Sequence, residues 1–143
     1  MDERFTPRPV AGWYLVAALA SLIFMVAACV MYVLHVTTNP ASLAPDQRTA
    51  FEAVPVWVTS AFGLGAFVGL AGSLLLLLRR KLAQPLMLIS LVAMLAWVAG
   101  FLLVPEMRET STANDLAVAI IVAAITWTIF WFARHSRQRG WLR

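Results

Sequence analysis

The side chains best suited to metal or redox chemistry are two histidines and one cysteine. His35 follows one long apolar stretch and His135 follows another, and either imidazole could ligate a haem iron or a metal ion. If these stretches cross a membrane, the two histidines lie at opposite faces and cannot hold one haem. Cys29 has no second cysteine for a disulfide, a redox pair or a zinc cluster. We therefore expect neither a metal ion nor a cofactor.

Enzymatic catalysis would need a nucleophile beside a base, and the apolar stretches lack that pairing. Their hydroxyl groups have no neighbouring histidine or carboxylate; these are Ser21, Thr59, Ser60, Ser73, Ser90, Thr126 and Thr128. The sequence contains no phosphate-binding loop, nucleotide motif or zinc spacing. The apolar stretches also lack Asp, Glu, Lys and Arg, the usual carriers in proton-driven transport. We expect that the protein is not an enzyme.

A group of neutral side chains could bind a small uncharged, sugar-like solute. Trp57, Thr59 and Trp97 combine aromatic faces with a hydroxyl, and small-ligand pockets are commonly built from such a mixture. Tryptophan near the end of a span is also a common interface anchor. In that alternative, Trp57 lies at the membrane surface, whereas Trp97 packs in the core or faces lipid.

A row of small residues at fourfold spacing predicts close helix packing. The row consists of Ala61, Gly65, Gly69 and Ser73, and its centre is a Gly-x-x-x-Gly motif. Small residues let two helix backbones approach each other closely in a membrane. The row could pack against helices of the same chain or against a second chain, and the sequence leaves both alternatives open.

The composition identifies the elements that carry these residues. Of the 143 residues, 62% are hydrophobic and 13% are charged, and the mean hydropathy is +0.81. A soluble domain is about half apolar and about a quarter charged, so the composition excludes a soluble enzyme. Four stretches are long and apolar enough to span a bilayer; they cover about residues 10–36, 54–78, 82–104 and 116–133. The sequence predicts an all-α fold, a membrane four-helix bundle that forms a single domain over residues 1–143.

Basic residues predict the orientation of this bundle. Of the 11 Lys and Arg residues, nine lie in the two tails and the second connection, against one in each of the other two connections. The nine are Arg4, Arg8, Arg79, Arg80, Lys81, Arg134, Arg137, Arg139 and Arg143. Since Lys and Arg favour the cytoplasmic side, both termini are predicted to be cytoplasmic. The net charge of +4 then reflects topology rather than a nucleic-acid partner, and we expect Arg79, Arg80 and Lys81 to contact lipid headgroups.

Several segments of the chain resemble a family of small four-span proteins of the bacterial inner membrane. The likeness covers nearly the whole chain, and it is carried by Pro55-x-Trp57-x-Thr59, by the leucine run that leads into Arg79-Arg80-Lys81, and by residues 131–135 and 140–142. Members of that family are often labelled sugar transporters. The resemblance implies four spans and a bacterial inner-membrane location, and it identifies no catalytic or binding residue.

Two hypotheses about function follow from the sequence. In the first, the protein is a non-enzymatic accessory subunit or self-associating bundle whose small-residue row forms the interface. In the second, it is an oligomeric facilitator for a small uncharged solute, because four helices alone enclose little space. In both, the expected partners are membrane lipids and either further copies of the chain or a larger membrane complex.

Overall fold

The computed structural model describes residues 9–143, and all regular structure in this part of the chain is helical. The four long helices are α1 (Trp13–Thr37), α3 (Val56–Leu77), α4 (Ala83–Leu103) and α6 (Ala113–Gln138). Three short helices lie in the connections: a 3-10 turn (Pro40–Ser42), α2 (Pro45–Glu52) and α5 (Pro105–Thr110). Each long helix is long and apolar enough to cross a membrane. The predicted all-α membrane bundle is therefore confirmed.

Proline and capping residues set the ends of these helices. Pro45 and Pro105 open α2 and α5, where a missing backbone N–H costs nothing. Thr112 and Asp115 form a capping box at the start of α6, each bonding the backbone N–H of the other. α6 extends to Gln138, beyond the predicted limit at residue 133. Its last turns are polar, so the end of the apolar stretch did not mark the end of the helix.

α3 is the central helix, and it packs against α1 on one side and α4 on the other. Its glycines face both neighbours. A methyl group on Gly69 would lie 2.5 Å from Sδ of Met25 in α1 and 2.6 Å from Oγ of Ser90 in α4. On Gly65, a methyl group would lie 3.0 Å from Cγ of Met94 in α4. A side chain at Gly69 would displace Met25 or Ser90, and one at Gly65 would require Met94 to shift by a few tenths of an ångström.

The small-residue row is therefore used inside the chain. Gly65, Gly69 and Ser73 are buried, and Ala61 is half-buried. Of the two alternatives left open by the sequence, the structure supports packing within one chain. A seam between two chains through the three buried positions is not supported, because α1 and α4 already cover them.

Hydrogen bonds between side chains and backbone also join these helices. The Tyr14 hydroxyl in α1 donates to the carbonyl of Leu76 in α3 at 2.6 Å. The Ser90 hydroxyl in α4 donates to the carbonyl of Gly65 in α3 at 2.7 Å. Such bonds between membrane helices each contribute about 1 kcal/mol, so packing and hydrogen bonding stabilise the same contacts.

At one end of the bundle, the C-terminal residues pair with the α3–α4 turn; we call this the turn end. The N–H of Arg143 donates to the carbonyl of Arg79 at 2.6 Å, and the N–H of Lys81 donates to the carbonyl of Arg143 at 2.9 Å. Arg79 has a positive φ of 59°, unusual for a residue with a side chain. Its Nε donates to the carbonyl of Trp141 at 3.0 Å, which helps to hold that backbone conformation.

An aromatic cluster fills the turn end. The ring of Tyr14 lies 5.2 Å from Phe132 and 5.8 Å from Trp141, and all three residues are buried. The cluster brings α1 and α6 together at this end, although α6 packs mainly against α4.

The two ends of the bundle differ in charge. The end opposite the turn end carries α2 and α5, and we call it the α2/α5 end. Within residues 9–143 every acidic residue lies there. These residues are Asp46, Glu52, Glu106, Glu109 and Asp115. The turn end carries Arg79, Arg80, Lys81, Arg134, Arg137, Arg139 and Arg143. Arg4 and Arg8, which also entered the orientation argument, lie outside the described residues.

Gly69→Val should destabilise the bundle, because the added methyl groups meet Met25 and Ser90. We expect a loss of about 1–3 kcal/mol, as is typical of overpacking. The control is Ala71→Val, an exposed position on the same helix. Reversible unfolding in mixed detergent micelles measures the free energy of unfolding of each variant. Equal values for Gly69→Val and Ala71→Val would contradict the packing described for α3.

Trp141→Ala should also destabilise the protein, since it empties the centre of the aromatic cluster. Loss of a buried tryptophan costs about 3–5 kcal/mol. Trp131→Ala is the matched control, because Trp131 is exposed on α6. If both variants unfold at the same detergent concentration, the cluster does not stabilise the turn end.

Candidate functional site

A cleft of about 990 Å3 lies between α1 and α6, and we call it the α1/α6 cleft. One face of α1 forms one wall, with Phe24, Ala28 and His35 along it, and Val118 and Val122 of α6 form the other. The cleft exists because α1 and α6 are joined by the aromatic cluster at the turn end but have no such contact toward the α2/α5 end.

Aromatic side chains of α3 and α4 form the floor of the cleft. The rings of Phe62 and Trp97 are 4.7 Å apart, and those of Trp97 and Phe101 are 5.6 Å apart. Thr59 lines the same floor one helical turn from Phe62. The floor is therefore mostly apolar, with a single hydroxyl group.

The short helices α2 and α5 line the cleft at the α2/α5 end. Phe51 of α2 packs beside His35, with ring centroids 4.6 Å apart. Apart from the Thr59 hydroxyl and the Trp97 indole N–H on the floor, the polar lining residues lie in this region: His35, Asp46, Gln47, Thr110, Ser111, Thr112 and Asp115. No Lys or Arg is among the lining residues, all of which belong to the described part of the chain. The cleft is thus polar at one end and apolar at the other.

The cleft occupies one half of the bundle along its axis. From Phe24 to His35 it extends about 16 Å along α1, at a rise of about 1.5 Å per residue. The hydrocarbon core of a bilayer is about 30 Å thick. In a membrane, the cleft therefore corresponds to the depth of a single leaflet.

One side of the cleft is open between α1 and α6. Met31 and Val118 line it from the two walls, yet they are 61% and 48% exposed. Ala27 also lines it and is exposed. Since these residues lie within helices long and apolar enough to span a membrane, a bilayer around the bundle would face this opening.

The structure brings together only part of the predicted solute site. Thr59 and Trp97 line the cleft, as one alternative predicted. Trp57 does not line it and is 49% exposed. Residues two apart on a helix point in nearly opposite directions, so Trp57 does not share the face of Thr59. Solute binding by the three residues together stays a prediction.

Sequence reasoning missed the other aromatic members of the cleft. Phe101 lies four residues after Trp97 and hence on the same helix face, a spacing that could have identified it. Phe24 and Phe62 carry no comparable signal, since each lies on a helix that is apolar all round. The contribution of α2 and α5 to one end of the cleft depends on tertiary structure alone.

The residues predicted to contact lipid headgroups lie at the turn end, away from the cleft. Arg80 and Lys81 are exposed, as headgroup contacts must be, whereas Arg79 is half-buried and donates to the carbonyl of Trp141. Among residues 9–143 no group of three His, Cys, Asp or Glu side chains is arranged to hold a metal ion.

Comparisons with known proteins add no further constraint. No family model matches the chain, and no curated protein or solved structure matches it either. The resemblance to four-span inner-membrane proteins therefore stays a prediction.

Thr112→Ala should loosen the start of α6, which contributes Thr112 and Asp115 to the cleft. The Thr112 N–H and hydroxyl both donate to Oδ2 of Asp115 at 2.8 Å, and loss of a helix cap costs about 1 kcal/mol. We expect faster hydrogen exchange at residues 113–116. Thr128→Ala, at an exposed threonine of the same helix, is the control; equal exchange in both variants would show that the cap does not hold this end.

Proposed function

We propose that this protein is a non-enzymatic membrane protein that binds a small membrane-dissolved molecule in the α1/α6 cleft. The observation that carries the proposal is the cleft itself, which has a volume of about 990 Å3, an aromatic floor and an open side between α1 and α6. Ligand pockets are typically about 300–1,000 Å3, mostly apolar and fitted with a few polar groups. The α1/α6 cleft has each of these properties.

The shape of the cleft favours a small molecule over a helix of another protein. A membrane-spanning helix is about 30 Å long and about 10 Å wide. The cleft extends only about 16 Å along α1 by the same helical rise. The aromatic cluster limits it at the turn end, and α2 and α5 limit it at the other. A partner helix could not enter without displacing these elements.

The same closure argues against a continuous path through a single chain. Tyr14, Phe132 and Trp141 are buried where a path would have to leave the bundle at the turn end. Facilitated transport of a sugar-like solute would require this cluster to open. Binding from within the bilayer requires no such movement, so we favour a binding or carrier role over a channel.

We also propose that the protein lies in the bacterial inner membrane with its turn end in the cytoplasm. The proposal rests on the concentration of Arg and Lys at that end and on the family resemblance. In this orientation, the α1/α6 cleft opens into the outer leaflet. Arg80 and Lys81 then lie at the depth of the cytoplasmic headgroups.

An accessory role in a larger membrane complex is the second candidate function. The feature that favours it is α6, which packs mainly against α4 and exposes the large side chains of Ile121, Trp127 and Trp131. A partner protein or a second copy could pack on this surface. The small-residue row does not serve this role, because α1 and α4 cover its glycines.

Ala27→Phe should block the α1/α6 cleft, because Ala27 lines the cleft and the phenylalanine ring would fill the opening. We expect native mass spectra of the wild-type protein, gently extracted from membranes, to show a bound small molecule that is missing from Ala27→Phe. Ala20→Phe is the matched control, since Ala20 is an exposed alanine two turns away on α1 and does not line the cleft.

Two results would contradict the proposal. One is a wild-type spectrum without any small-molecule adduct, and the other is the same adduct retained in Ala27→Phe and Ala20→Phe. Co-extraction of a stoichiometric partner protein, with no small molecule, would instead support the accessory role.

A further inference from the structure

From the polarity and charge of the lining residues, we infer the class of molecule that the α1/α6 cleft binds. The ligand is a long-chain amphiphile with an uncharged, hydrogen-bonding head group. Its head lies at the α2/α5 end and its tail lies against the aromatic floor. This inference rests on the proposed binding function and specifies the ligand of the same site.

The deep part of the cleft fits a hydrocarbon tail. It is surrounded by Phe24, Phe62, Trp97 and Val122. The indole N–H of Trp97 is the one side-chain group among these four that could hydrogen-bond a ligand. A sugar-like solute placed there would leave several hydroxyls without partners, at a cost in free energy for each. An apolar chain loses no hydrogen bonds in this position, so the deep end selects a tail.

The other end of the cleft offers neutral hydrogen-bonding groups. Gln47 supplies both a donor and an acceptor, and Ser111 supplies a hydroxyl. Gln47 is exposed and Ser111 is half-buried, so both side chains are accessible at this end. Thr110 donates to the carbonyl of Glu106 at 2.7 Å and keeps its oxygen as an acceptor. These groups can hydrogen-bond an alcohol, carbonyl or amide head.

The charges around this end disfavour an anionic head. Asp46 and Asp115 line the cleft, and neither Lys nor Arg lines it. The nearest basic residue along α2 is Arg48, whose Nε is paired with Glu52 at 2.9 Å. A phosphate or carboxylate would therefore lie beside two like charges, which solvent weakens because both carboxylates are exposed. No cation lines the cleft to bind it, since Arg108 on α5 is not among the lining residues.

The same carboxylates do not make a strong site for a cation. Oδ2 of Asp115 already accepts two hydrogen bonds from Thr112. Asp46 is exposed, and its charge is screened by solvent. Because neither carboxylate is held buried and unpaired, a positive head gains little, and an uncharged head fits best.

The length of the cleft and its side opening fit this assignment. The cleft extends about 16 Å along α1, which places a head at the interface and a tail within one leaflet. Met31 and Val118 flank the opening, and both side chains are exposed. An amphiphile can therefore enter sideways from the leaflet in which it is dissolved, with its head already at the level of the polar end.

Trp97 provides a direct readout, because it lies on the floor where the tail is placed. Three probes share one brominated acyl or alkyl tail and differ in head group: a monoacylglycerol, an alkyl phosphate and an alkyltrimethylammonium. Bromine quenches tryptophan fluorescence on contact. Each probe is titrated into nanodiscs that hold the wild-type protein or Trp97→Phe, and the difference between the two signals isolates Trp97. Ala27→Phe and Ala20→Phe are titrated in parallel as the blocked variant and its control.

We expect saturable quenching of Trp97 by the monoacylglycerol, abolished in Ala27→Phe and retained in Ala20→Phe. The alkyl phosphate should bind roughly tenfold more weakly, which corresponds to one unfavourable charge contact of about 1.4 kcal/mol. The alkyltrimethylammonium should bind no more tightly than the monoacylglycerol.

The outcomes separate this inference from the proposed function. If none of the probes gives saturable quenching of Trp97, the cleft is not an amphiphile site and this inference fails, whereas the proposed function stands or falls with the adduct in the native mass spectra. If the phosphate binds as tightly as the monoacylglycerol, or the ammonium binds more tightly, the cleft binds amphiphiles but the assignment of an uncharged head is overturned.

Discussion

The close approach of α1 and α4 to the glycines of α3 is the contact on which the rest of the structure depends. Lipid tails solvate apolar side chains as well as protein does, so membrane helices associate through close packing and hydrogen bonds rather than through the hydrophobic effect. Gly69 meets both neighbouring helices, against Met25 on one side and Ser90 on the other. The Ser90 hydroxyl reaches the carbonyl of Gly65 because no side chain separates the two backbones. This packing makes α3 the centre of the bundle.

The arrangement of the other helices follows from that centre. With α1 and α4 on either side of α3, α6 packs on α4 and meets α1 through the aromatic residues Tyr14, Phe132 and Trp141 at the turn end. Toward the α2/α5 end no comparable cluster joins α1 to α6, and the space between them is the α1/α6 cleft. The cleft is thus a consequence of helix packing that is tight at one end of the bundle. Its restriction to one half of the membrane depth supports binding from a leaflet rather than passage across the bilayer.

Some of the candidate site could be predicted from the sequence, and the reasons for success and failure are geometric. Thr59 and Trp97 were identified by their residue types, and both line the cleft. Trp57 has the same chemistry as Trp97, but its position two residues before Thr59 directs it away from the cleft. The sequence could have shown this, since the angle between neighbours on a helix is fixed. The roles of Gln47 and Ser111 could not have been predicted, because only the docking of α2 and α5 against the long helices brings these residues to the site.

The sequence by itself determined the fold class, the four spans and the unequal distribution of charge between the two ends. It could do so because a long apolar segment in a bilayer must satisfy its own backbone hydrogen bonds, which forces it into a helix. The tertiary structure alone decided that Gly65 and Gly69 pack within one chain and that α1 and α6 enclose a cleft. Each long helix is apolar on nearly every face, so its residue pattern does not specify which face meets a neighbour. That choice depends on the fit between side chains of different helices, such as Met25 against Gly69, and it exists only once the helices are packed.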